Sequence, residues 1–125
     1  MSKKVFLLED DEDTCSLISA ILENYGYEPQ VAFSIKEGKS ILQDNAEFDL
    51  FFLDYSLPDG KSFELLENEL ICERSKVILC SAYLSKDKLE KAKKMGISNC
   101  LKKPINFDLL HKTITSLNEK NTDHR

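Results

Sequence analysis

Four short segments carry side chains whose types suit phosphoryl chemistry: Glu9-Asp10-Asp11, Asp54, Cys80-Ser81-Ala82 and Lys102-Lys103-Pro104. Carboxylates brought together repel and raise one another's pKa unless a cation joins them. An oxygen-only donor set of this kind suits a hard divalent cation, and Mg²⁺ keeps several waters beside one or two carboxylates. A carboxylate flanked by a cation site, a hydroxyl and an ammonium can carry a phosphoryl group. The metal and the lysine would neutralise the transferring oxygens, and the hydroxyl would hydrogen-bond one of them. Singly these signals are weak: a serine after a strand is commonly a turn residue, and Lys-Pro is commonly a loop. Glu12 and Asp13 are expected only to complement a helix dipole. The informative feature is the order of the four segments and where each falls.

Each segment ends a strand. Val5–Leu8, Leu50–Leu53 and Val77–Cys80 are continuously apolar, as strands covered on both faces are. Tyr27–Ala32 contains Pro29, which points to an edge, and a short strand is expected near Ser98–Lys102. Between them lie helix-period segments. The first carries Leu17, Ile18, Ile21, Leu22 and Tyr25 and stops at Gly26. The second opens with the capping box Ser34–Glu37. The third presents Phe63, Leu66 and Leu70. The fourth starts at Ser85, with Leu84 against Leu89 as a staple, and closes at Gly96. The last starts near Asn106 and turns Leu110, Ile114 and Leu117 inward. Five βα units with right-handed crossovers predict an α/β fold, a doubly wound five-stranded parallel sheet of order 2-1-3-4-5 with five helices. Ligands in such sheets sit outside the carboxyl ends of the strands, at the switch point between strands one and three. Adjacent strands are about 4.8 Å apart, so Glu9, Asp10, Asp11 and Asp54 should crowd there.

The composition fits one domain. The chain has 125 residues, 42% hydrophobic and 31% charged, enough to bury roughly 65–70% of its unfolded surface without disulfides or metal. The longest apolar runs are four residues, far short of the about 20 that a membrane helix needs. Met1-Ser2-Lys3-Lys4 looks like the start of a signal peptide, but the apolar stretch ends at Glu9, so secretion is not expected. A net charge of −5 disfavours nucleic acid, which requires a basic face. Cys15, Cys72, Cys80 and Cys100 form no CxxC or Cys/His cluster. They read as reduced, mostly buried thiols of a cytoplasmic protein.

The ordered set resembles the receiver domain of bacterial two-component response regulators, over residues 3–118 with a polar tail at 119–125. The likeness rests on Glu9-Asp10 after an apolar strand, Leu53-Asp54-Tyr55-Ser56-Leu57-Pro58-Asp59-Gly60, Ser81-Ala82 and Lys103-Pro104. It implies a flavodoxin-like fold with Asp54 as phosphoacceptor. Asp10 would ligate Mg²⁺ directly, Glu9 mostly through water, and the Ser56 backbone carbonyl would be a further ligand. Ser81 and Lys103 would contact the phosphoryl group. The donor would be a histidine kinase or a histidine phosphotransfer protein. The expectation is a stand-alone receiver that is no turnover enzyme, although it assists its own phosphorylation and dephosphorylation. Output would come from a changed surface, to a protein target or through a homodimer, around helix four, strand five and helix five. The family often has an aromatic in strand five three residues before the lysine. Here that position is Cys100, a departure from the family pattern at the aromatic switch that leaves Tyr83 as a substitute. Two other readings compete. A haloacid-dehalogenase-type aspartyl-phosphate phosphatase would use Asp11-Glu12-Asp13, although Glu9 occupies the strand end and the following threonine comes one place early. A pseudo-receiver would bind partners without phosphorylation, against the intact set of site residues.

Overall fold

Alternation along the apolar runs assigns each side chain to one of two layers. In the computed structural model, which describes residues 3–45 and 47–122, the first strand is β1 (Lys3–Leu8). It sends Val5 and Leu7 into one core and Phe6 and Leu8 into the other. The remaining strands are β2 (Tyr27–Ala32), β3 (Leu50–Asp54), β4 (Val77–Ser81) and β5 (Asn99–Lys102). They form one five-stranded sheet in the order β2-β1-β3-β4-β5, with every pairing parallel. This is the order expected from the sequence. β3 and β4 are buried along their whole length.

The helices are α1 (Glu12–Asn24), α2 (Ile35–Asp44), α3 (Phe63–Glu67), α4 (Lys86–Lys94) and α5 (Phe107–Thr122). Ile18 and Leu22 of α1 join Leu110, Ile114 and Leu117 of α5 over Val5, Leu7, Phe52 and Ile78. On the other face, Leu42, Leu65, Leu66 and Ala92 cover Phe6, Leu8, Phe51 and Leu79. Phe6, Phe48 and Phe51 cluster there, with ring centroids 5.6 to 6.2 Å apart. Gly26 (φ +86°) and Gly96 (φ +92°) end α1 and α4 in the left-handed region that glycine tolerates. Among the described residues no helix is long and apolar enough to cross a membrane.

Local expectations change in five places. α3 stops at Glu67 instead of continuing through Leu70, because Glu69 (φ 59°) turns the chain. Leu70 N–H then bonds Leu65 C=O and Glu69 N–H bonds Leu66 C=O, which satisfies the helix-end carbonyls. Leu17 leaves the buried stripe of α1 and is 49% exposed, and Leu89, the residue expected to staple α4, is 42% exposed. Of the four free thiols, Cys15 and Cys80 are buried, whereas Cys72 is exposed. α5 runs through Thr122 into the expected polar tail. Residues 123–125, together with Met1 and Ser2 of the signal-like start, lie outside the described residues.

Candidate functional site

The carboxyl ends of β1, β3, β4 and β5 meet at one rim, as the sheet order requires. Asp54 is opposite Cys80 in the β3–β4 register, and Ser81 is opposite Lys102 in the β4–β5 register. Two backbone bonds extend these pairings beyond the strands: Tyr55 N–H to Cys80 C=O (2.7 Å) and Lys103 N–H to Ser81 C=O (2.8 Å). Thus Asp54, Ser81 and Lys103 are positioned by the ladder itself.

Glu9, Asp10 and Asp54 each offer a carboxylate oxygen within 4.8 Å of the others. Their environments differ. Glu9 is 1% exposed and Asp54 5% exposed, while Asp10 is open to solvent. Lys103 Nζ donates to Glu9 Oε1 (2.9 Å) and to Asp54 Oδ2 (3.0 Å). The other Glu9 oxygen accepts the Asp11 N–H at 3.0 Å. Among the described residues, no hydrogen bond or ion pair engages the Asp10 carboxylate. The crowding expected from the sequence is therefore real but partly compensated, because one ammonium serves two buried carboxylates. Burial raises the Glu9 pKa, and the bonds from Asp11 and Lys103 only partly offset it. Burial pulls Lys103 down, but its bonds to Glu9 and Asp54 outweigh this and leave it above the ordinary lysine value.

Asp11, expected from the sequence to join these carboxylates, stands apart from them. Its side chain accepts from Thr14 N–H (2.8 Å) and Thr14 Oγ1 (2.6 Å) and so caps α1. Glu12 and Asp13 lie in the first turn of that helix, where the dipole favours them.

A cleft of about 290 Å³ opens beside Asp54, and Ser56, Ser81, Tyr83 and Lys103 contribute to its walls. Ser56 belongs to a small hairpin, Ser56–Leu57 against Gly60–Lys61. Asp59 at its turn accepts the N–H groups of Ile35 (2.8 Å) and Lys36 (3.0 Å). The turn is thereby tied to the start of α2, where Ser34 caps through Glu37 N–H. Those two backbone bonds hold the Asp59 carboxyl below the usual carboxylate range.

Two cations in the cleft escaped the sequence reading. Lys61 Nζ donates to Ser56 Oγ at 2.8 Å. Lys88, third residue of α4, donates to Ser81 Oγ (2.8 Å) and Tyr83 C=O (2.5 Å), with its ammonium 3.9 Å from the centre of the Tyr55 ring. Burial and then Lys61 keep Lys88 below the ordinary lysine pKa. A signal was present in the sequence. Ser85 opens α4, yet the third helical position carries lysine where a capping box has Glu or Gln. A cation in a first turn opposes the helix dipole. Of the two positions considered for the switch, Tyr83 is 72% exposed, and Cys100 packs against the core beneath α2–α4.

The family model for the response regulator receiver domain matches residues 5–115. The transcriptional regulatory protein CrdR of Helicobacter pylori is 36% identical over 117 residues, covering 91% of this chain and 54% of CrdR. Sporulation initiation phosphotransferase F of Bacillus subtilis is 25% identical over 109 residues, covering 86% of this chain and 87% of the relative. The chain spans about half the length of CrdR and about a quarter of the ZraR regulator of Salmonella typhimurium. Among solved structures, a CheY-like receiver domain protein from Methanospirillum hungatei aligns with TM-score 0.82 at 28% identity, covering 99% of this chain and 100% of that one. A two-component response regulator from Clostridium difficile aligns with TM-score 0.85 at 21% identity, covering 98% and 100%, and at that identity it speaks to the fold alone.

Proposed function

This chain belongs to the response regulator receiver domain family, and on that premise we propose that it accepts a phosphoryl group from a phosphohistidine onto Asp54. The observation that carries the reading is the Lys103–Asp54 contact of 3.0 Å at the end of a central strand, with Glu9 and Asp10 beside it. A carboxylate oxygen of Asp54 attacks phosphorus, the P–N bond to the donor imidazole breaks, and its electron pair returns to nitrogen. Lys103 stabilises charge on the oxygens in transit. Ser81 is the neutral donor that reads the product.

The oxygen donors of Glu9, Asp10 and Asp54 fit a hard divalent cation. Asp10 would hold Mg²⁺ directly, Glu9 mainly through water because both its oxygens are already engaged, and the Ser56 carbonyl would complete the protein's share. When bound, Mg²⁺ supplies positive charge to the phosphoryl oxygens. The protein acts on itself and is no turnover enzyme, although its own residues assist phosphorylation and dephosphorylation. Its donor is a histidine kinase or phosphotransfer protein. Its output is a changed surface around α4, β5 and α5, read by a protein target or a second copy, with Tyr83 rather than Cys100 altering its exposure. This setting is cytoplasmic. The phosphatase reading is not favoured, because the side chain of Asp11 is committed to capping α1. The pseudo-receiver reading has no missing residue to support it.

The test is incubation with a small phosphodonor, with and without Mg²⁺. Uptake of one acid-labile phosphoryl group that a chelator prevents supports the proposal. Equal uptake by Asp54→Asn contradicts it.

A further inference from the structure

Three ammonium groups line the cleft beside Asp54, and their partners differ. Lys103 has two carboxylates and Lys61 has a serine hydroxyl. Lys88, like Lys61, has neutral partners, but they include Ser81 Oγ, together with the Tyr83 carbonyl and the Tyr55 ring. Among the described residues no ion pair includes it.

Counting protons on Ser81 shows what this allows. A serine hydroxyl has one proton and two lone pairs. Here the proton goes to the Tyr83 carbonyl at 3.1 Å, while the oxygen accepts from Lys88 at 2.8 Å and from the Tyr83 N–H at 3.4 Å. To donate to a phosphoryl oxygen, Ser81 must withdraw its proton from Tyr83. The Lys88 bond uses a lone pair and need not break. Nor is the Tyr83 carbonyl orphaned, because Lys88 still donates to it at 2.5 Å. A hydroxyl that accepts from an ammonium is polarised and becomes a better donor.

We propose that Lys88 is a positioning residue that ties Ser81 to the first turn of α4 and so carries the phosphorylated state of Asp54 to that helix. This rests on the reading of Asp54 as phosphoacceptor. Phosphorylation adds roughly −1.5 to −2 of charge. Lys88 has no carboxylate to hold it back, so its ammonium follows Ser81 and draws the N-terminus of α4 along. The coupling runs through a side chain of α4 itself and needs no swinging aromatic on β5.

The experiment titrates the 125-residue chain with beryllofluoride, a phosphoryl analogue, in the presence of Mg²⁺. It reads the dissociation constant and the α4 amide shifts at saturation. Lys88→Met is expected to bind about ten-fold more weakly, the scale of one charged hydrogen bond, and to lose the α4 shifts. Lys88→Arg retains both. Adding Lys88→Met to Ser81→Ala costs nothing further, because the two act as one unit. Wild-type α4 shifts in saturated Lys88→Met overturn the proposal, as does a full additional loss in the Ser81→Ala background. If the wild-type chain fails to bind beryllofluoride, the phosphoacceptor reading itself falls and takes this inference with it.

Discussion

Lys103, just beyond β5, donates from its ammonium to Asp54 at the end of β3 across 3.0 Å, although 49 positions separate them in the chain. The same ammonium also holds Glu9 at 2.9 Å. Removing it would leave two buried carboxylates facing each other.

Lys103→Met is therefore expected to destabilise the metal-free protein by about 2 kcal/mol. This is below the usual loss for breaking a fully buried pair, because Lys103 is partly exposed. Urea denaturation should show the loss, and Mg²⁺ should recover part of it by supplying another cation. Unchanged stability in the absence of Mg²⁺ would mean that Lys103 does not compensate these charges.

The four cysteines should react in an order set by burial. Cys72 is exposed, whereas Cys80 is fully buried with its thiol pKa pushed up by desolvation. Cys15 is raised to about 11 by burial and by the carboxylates led by Glu9. Timed iodoacetamide labelling read by peptide mass should modify Cys72 first and Cys15 and Cys80 last. Equal rates at Cys72 and Cys80 would contradict the packing of β4.

Two glycine substitutions separate backbone strain from crowding. A Cβ at Gly26 (φ +86°) meets nothing within 4 Å, whereas one at Gly96 (φ +92°) comes within 3.2 Å of Arg74 Cβ. Gly26→Ala should cost about 1–2 kcal/mol for the left-handed conformation alone. Gly96→Ala should cost more, as judged by the shift in urea midpoint. The reverse order would contradict the close approach of Arg74 to the end of α4.

Much of the fold could be read directly because its strands repeat every two residues and its helices every 3.6. Val5–Leu8 and Leu50–Leu53 had to be covered on both faces, so Asp54 had to emerge at a buried strand end. What stayed hidden depends on contacts with no period. The end of α3 is set by the conformation of Glu69, and the hold of Asp59 on α2 uses backbone N–H groups. Lys88 belongs to a helix rich in lysines; its place at the third position after the Ser85 cap is its sign in the sequence, and its bonds to Ser81 and to a main-chain carbonyl emerge only from the fold. The double role of Lys103 was half visible: its place at the rim followed from the sheet order, but its bond to Glu9 did not.

Cys100 packs into the core beneath α2–α4 and changes little in size when shortened. Cys100→Ala should leave the α4 amide response to a phosphoryl analogue intact. Tyr83→Ala keeps the backbone carbonyl that Lys88 uses, so it should weaken partner binding without abolishing that response. Loss of the response in Cys100→Ala alone would make Cys100 the switch.

The phosphoacceptor assignment is tested most directly by peptide mapping of the acyl phosphate. The protein is loaded by a small phosphodonor with Mg²⁺, the phosphoryl group is displaced with hydroxylamine, and the resulting hydroxamate is located by fragmentation. The account predicts one modified residue, Asp54, and none in Asp54→Asn. A hydroxamate on Asp10 or Asp11 with Asp54 unmodified would contradict it.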